Sequence, residues 1–137
     1  MRRNSREAVY KILFAENFNA DNDDDFKASV FTDNELSEKD LLFADELLKT
    51  IREHKDEIYS VIGRLAEGYK TERLYPTDKC ALVLAVAEMK FFEDIPYVVS
   101  IDEAMYLVKK YSTAESANFV NGILAAYKKE LDNDANN

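Results

Sequence analysis

An all-α fold is predicted from three features of the sequence. The 137 residues include only 3 Gly and 2 Pro, too few for the many tight turns of an all-β design. Apolar residues recur at three- and four-residue spacing in one segment after another. Most of those segments are preceded by Ser, Thr, Asn or Asp, where an N-cap belongs. With 47% hydrophobic residues, a chain of this size buries about two-thirds of its unfolded surface, enough for one core without staples. The expected architecture is a single domain over residues 1–131, of about seven helices in two packed helical subdomains, with a disordered tail over 132–137.

The first helix is expected from about Ser5 to Phe18, because Asn4 and Glu7 have capping-box spacing and Val9, Ile12, Leu13 and Ala15 to Phe18 supply a stripe. Arg6 in its first turn opposes the helix macrodipole by about 0.3–1 kcal/mol, which points to an external anionic partner. Asn22 to Asp25 cap a short second helix bearing Phe26, Val30 and Phe31, followed by a loop over Thr32 to Leu36. Ser37 and Asp40 start a third, which presents Leu41, Leu42, Ala44, Leu47, Leu48 and Ile51 to the core and ends near His54.

A fourth helix over Lys55 to Glu67 turns Ile58, Val61, Ile62 and Leu65 inward, and the stretch from Gly68 to Tyr75-Pro76 connects it to the next. Pro76 opens the fifth, expected over Thr77 to Phe92. Ala81 to Ala87 is apolar on nearly every side, as in a helix buried at the centre. Ser100 with Glu103 caps the sixth, which carries Ala104, Leu107 and Val108. Ser112 with Glu115 caps the last, whose stripe is Ala114, Ala117, Val120, Leu124 and Tyr127.

That last stripe runs through Asn121-Gly122, a pair that ordinarily signals a turn. Together the two residues cost about 1.5 kcal/mol of helix propensity relative to two alanines. Something other than helix stability therefore keeps them, and Gly122 is expected to admit another backbone. The segment Asn118-Phe119-Val120-Asn121-Gly122 resembles the Phe-Val-Asn-Gly signature of the NusB family of bacterial transcription antitermination proteins. The resemblance extends to Ile95-Pro96-Tyr97, Ile101-Asp102-Glu103-Ala104, Lys109-Lys110-Tyr111, and the basic start Arg2-Arg3 with Arg6-Glu7. It implies a NusB-like helical protein that recognises boxA-like single-stranded RNA together with NusE, a ribosomal small-subunit protein, and assists ribosomal RNA transcription within an RNA polymerase antitermination complex.

The formal net charge of -9 argues against nonspecific nucleic-acid binding, but its distribution is lopsided. Cations gather at Arg2, Arg3, Arg6 and Lys11, while acids crowd Asp21 to Asp25 and return at Asp33, Glu35, Glu38 and Asp40. Three phosphate contacts on a single strand give a salt slope near -2, hence a loss of about tenfold to thirtyfold in affinity between 50 and 200 mM salt. Such a patch binds weakly alone, and a basic partner that adds contacts is expected.

Sequence chemistry otherwise points away from catalysis. The chain has no G-x-x-x-x-G-K-[ST], G-x-G-x-x-G or G-x-S-x-G motif, and its paired carboxylates read as solvated faces. His54, the only histidine, and Cys80, the only cysteine, make no zinc site, so no metal and no cofactor is expected. Cys80 among Ala81, Leu82 and Val83 reads as a buried reduced thiol, which with the absence of a signal-like or membrane-spanning stretch leads to an expected cytoplasmic location.

Phe119 lies off the Ala117, Val120, Leu124 stripe and is a candidate platform for an unpaired base, with core packing as the alternative. The resemblance favours the platform, adds Phe14 as a second stacking candidate, and places Glu115, Ser116, Asn118 and Asn121 beside the RNA with Arg2, Arg3 and Arg6. It offers Asp78 as a contact for basic NusE, against a simple helix-start role. The chain departs from the family at Asn4, Asn118 and Val83, where relatives often carry cations, so three possible phosphate contacts are missing. Two rival readings are an acidic protein-only helical adaptor that has lost RNA specificity, and an RNA-binding subunit for a separate ribosomal RNA methyltransferase, since no catalytic domain follows in this chain.

Overall fold

The protein, seen in a computed structural model, is described here over residues 2–17, 24–66 and 74–135. Those residues form seven helices: α1 (Arg2–Asn17), α2 (Asp24–Asp33), α3 (Glu38–Glu53), α4 (Lys55–Leu65), α5 (Pro76–Phe91), α6 (Tyr97–Tyr111) and α7 (Ala114–Ala135). No strand occurs among them, as expected. The central pillar is α5, which packs against α1, α3, α4, α6 and α7. Every residue from Cys80 to Met89 is buried: the run through Ala87 has no polar face to keep in water, and Glu88 is paired with Arg6. On one side α1 carries α2 and α3, and on the other α6 and α7 lie together.

Several boundaries follow side-chain chemistry that local patterning does not reveal. Helix α1 begins at Arg2, so Asn4 and Glu7 form no capping box there; Glu7 lies inside the helix and takes hydrogen bonds from Lys110 and Tyr111. Helix α2 runs on to Asp33 through residues expected to be loop, and Asn34 and Glu35 close it onto Val30 and Thr32. The expected caps at Asn22 and Asp23, like Phe18, Glu67 and Gly68, lie outside the described residues.

Helix α3 starts as expected, with the Ser37 hydroxyl accepting from the Asp40 amide. Its inward face uses Phe43, whereas Leu42, expected in the core, is 71% exposed. His54 ends α3 and precedes α4 without a side-chain cap; its ring stacks on Phe91 at 4.1 Å and its Nδ1 lies 3.2 Å from Glu57.

Helix α6 starts at Tyr97 after Pro96, three residues before the expected Ser100 cap. Ser100 is buried and its hydroxyl donates to Glu88. Helix α7 is capped by Thr113, whose hydroxyl accepts from the Ser116 amide at 3.1 Å, so the expected Ser112–Glu115 box is displaced by one residue. The disordered tail expected from Asp132 gives way to helix through Ala135, braced by a Lys128–Asp132 pair at 2.7 Å.

Asn121 and Gly122 sit inside α7, both exposed. A Cβ added at Gly122 meets nothing within 4 Å, so the close backbone approach expected there does not occur among the described residues. Gly122→Ala is therefore expected to stabilise the fold by about 0.5–1 kcal/mol, read as a raised denaturation midpoint with unchanged m-value. A loss of stability would show that the glycine is needed by the fold itself.

Candidate nucleic-acid interface

The end of α1, the start of α5 and the corner between α6 and α7 border an open groove of about 820 Å³. Phe14, Tyr75, Tyr111 and Phe119 line it, with Thr77, Asp78, Glu115 and Ser116 between them. Both phenylalanines are half-buried: each packs against the core edge and lines the groove. Tyr75 precedes the proline that opens α5 and is 72% exposed.

One wall is held by an aromatic pair and a carboxylate. Tyr10 stacks on Tyr111 with centroids 5.3 Å apart and donates its hydroxyl to the Thr77 carbonyl at 2.9 Å. The Tyr111 hydroxyl and the Lys110 ammonium both donate to Glu7, the latter at 2.6 Å. Burial pushes the Glu7 carboxyl up, but these two donors and the Lys110 charge outweigh it and leave Glu7 below the usual carboxylate range. Burial and the Glu7 hydrogen bond raise the Tyr111 hydroxyl, which remains a neutral donor at the groove edge.

The floor is fixed by Asp78, which is 2% exposed. It accepts from the Ser116 hydroxyl at 2.9 Å and the Ser112 hydroxyl at 3.2 Å, tying the α6–α7 corner to the first turn of α5. A carboxylate so enclosed offers little surface to a protein partner, and the expected contact role for Asp78 becomes one of positioning the groove. The same geometry commits the Ser116 hydroxyl inward.

The N-terminal arginines divide. Arg2 and Arg3 are half-exposed and border a second, shallower recess with Asp94, Pro96, Val99 and Glu103. Arg2 lies 3.6 Å from Asp94 with its guanidinium 4.4 Å over Phe43, and Arg3 pairs with Glu103 at 3.0 and 3.3 Å. Arg6, expected at the RNA, is instead 5% exposed and forms a bidentate pair with Glu88 at 2.7 and 2.9 Å in the core. Arg6 borders the recess of Arg2 and Arg3, but its guanidinium is committed to Glu88.

Arg3 and the groove are linked along α6. The Arg3 guanidinium lies 4.2 Å over Tyr106, and Lys110 lies 5.9 Å from Tyr106 and 5.4 Å from Tyr111. Lys110 thus stands beside both the ring under Arg3 and the ring at the groove edge, and so links the cationic corner to the aromatic groove. Phe14, Glu115, Ser116 and Phe119 are thus brought together, while Asn118 and Asn121 are exposed on α7 outside the groove lining. Among the described residues Asn121 makes no hydrogen bond that would organise the local backbone. Lys110, Tyr111 and Tyr75 are contributors that site selection from sequence missed. Only their place in the Lys109-Lys110-Tyr111 and Tyr75-Pro76 runs hinted at them.

Fold and groove together define an all-helical protein with an open aromatic groove and Lys110 beside its edge. The NusB family model matches residues 3–129. The chain is 38% identical over 130 residues to a transcription antitermination protein NusB from Methylacidiphilum infernorum, covering 94% of this chain and 91% of that one. It is also 38% identical over 125 residues to the protein of that name from Agathobacter rectalis, covering 89% and 95%. The T. maritima NusB structure superposes with a TM-score of 0.84 at 35% identity, covering 95% of this chain and 92% of that one. A structure of antitermination factors NusB and NusE in complex with dsRNA gives a TM-score of 0.85 at 26% identity, covering 94% and 96%. This chain belongs to the NusB family.

Proposed function

We propose that this protein is a transcription antitermination factor that binds boxA-like single-stranded RNA together with NusE and assists ribosomal RNA transcription. The observation that carries the proposal is the continuity of the aromatic groove with the Arg3–Tyr106–Lys110 edge. Unpaired bases stack on Phe14, Tyr111 and Phe119, while phosphates follow Arg2, Arg3 and Lys110. The named relatives and the NusB–NusE–dsRNA neighbour support this reading. The role is noncovalent, and it places the protein in the cytoplasm beside elongating RNA polymerase.

The electrostatics explain why a partner is needed. Arg2, Arg3 and Lys110 each lie beside a carboxylate, at Asp94, Glu103 and Glu7. A phosphate must displace or share those partners, so each contact yields less than a free cation would. Basic NusE adds charge without that competition.

Fluorescence anisotropy with boxA-like and scrambled RNA, single- and double-stranded, with and without NusE, tests the assignment. Preference for single-stranded boxA-like RNA, strengthened by NusE, is the expected result. Arg3→Ala should weaken all RNAs alike and reduce the magnitude of the salt slope by about 0.7. Equal affinity for boxA-like and scrambled RNA defeats the reading and favours the protein-only adaptor.

A further inference from the structure

A second crevice, of about 340 Å³, lies beside the groove, between α1, the α3–α4 junction and α5. Among the described residues its lining includes Arg52, Lys55 and Lys79 but only one carboxylate, Glu16, a local excess of positive charge on a strongly acidic protein. Glu16 is committed to Arg52 at 2.6 Å. Both lysine ammoniums face the same half-buried ring: Lys55 lies 5.4 Å and Lys79 5.1 Å from the centre of Tyr59. Among the described residues neither lysine has a carboxylate within ion-pairing distance, and Lys79 donates only to the neutral Asn17 amide oxygen at 3.2 Å.

Two like charges gathered on one ring, with Arg52 already paired to the carboxylate Glu16 of the lining, form an arrangement that an anion relieves. The ring adds a flat face, and the volume suits a nucleotide-sized ligand. We propose that this crevice is a phosphate-binding site for nucleotides. Its position says which source is favoured: Leu13 and Lys79 line the crevice, and the next residue on α1, Phe14, and the preceding one on α5, Asp78, line the groove. RNA leaving the groove over this ridge meets Lys79 and Lys55. That assignment to RNA rests on the proposed function; the phosphate site itself does not.

The test uses the whole protein, boxA-like RNA of core length, the same RNA extended by six uridines at either end, and free uridine monophosphate followed by phosphorus NMR line broadening. Extended RNA is expected to bind more tightly than core RNA, with a salt slope more negative by about 1.4 for two phosphates. Lys55→Ala/Lys79→Ala should abolish that gain, about sevenfold between 200 and 50 mM salt, and leave core RNA affinity and the circular dichroism melt unchanged. Exposed Lys129→Ala serves as the control.

Broadening of the monophosphate that the double variant removes, without a gain from extension, upholds the phosphate site and assigns it to a free nucleotide. If neither ligand responds to the double variant, the proposal is overturned. Loss of core RNA binding in Phe119→Ala reports on the groove alone, so the two readings fail separately.

Discussion

Arg6→Ala is expected to destabilise the fold by about 3–5 kcal/mol, the cost of leaving one member of a buried ion pair without its partner. For a chain of this size that lowers the melting temperature by about 10–17 °C. The Arg6 side chain is 6% exposed and that of Glu88 1%, and the Ser100 hydroxyl donates to the same carboxylate at 3.0 Å. The guanidinium also sits 5.3 Å from the centre of Phe43. One charged cluster therefore joins α1, α5 and α6. Replacing both partners by apolar residues, Arg6→Met with Glu88→Leu, should recover most of the loss, because no charge then stays buried. Thermal melts of the two variants decide the matter. Unchanged stability in Arg6→Ala, accompanied by weaker RNA binding, would return Arg6 to the surface as a phosphate ligand.

The Arg6 pair also marks how far sequence reading reaches. Helix existence was legible because periodic apolar residues and a buried run such as Ala81 to Ala87 are local signals. Caps were less so: Thr113, not Ser112, accepts from the Ser116 amide, and the two differ by one residue within a run of hydroxyls. Long-range pairing was not legible at all. Arg6 and Glu88 are separated by 82 residues, and Glu7 and Tyr111 by 104, so nothing near Arg6 in the chain says that a carboxylate awaits it in the core. Asp78 illustrates the same limit, since the hydroxyls that enclose it come from the corner between α6 and α7. Phe119 is visible in a helical projection as an aromatic off the main stripe, whereas Phe14 enters only through the family resemblance. Tyr111 was passed over because its place in the groove depends on stacking against Tyr10 from another helix.

Phe119→Ala is expected to weaken binding of boxA-like RNA by about 5- to 150-fold, the equivalent of one stacked base at roughly 1–3 kcal/mol. Phe119 is half-buried against the core, so alanine also removes some packing, and the decisive variant is Phe119→Leu. Leucine keeps most of the apolar volume but has no flat face. It should preserve the melting temperature within a few degrees while losing most of the RNA affinity that alanine loses. The salt dependence separates stacking from charge: neither substitution at Phe119 removes a cation, so the slope of affinity against salt should stay constant while the whole line drops. Arg3→Ala should change the slope instead. Tyr111→Ala should behave as Phe119→Leu does toward RNA, and in addition frees Glu7 from one of its two donors. Full RNA affinity in Phe119→Leu would mean that the ring serves as packing at the groove edge, and the bases would then have to lie on Phe14, Tyr75 or Tyr111.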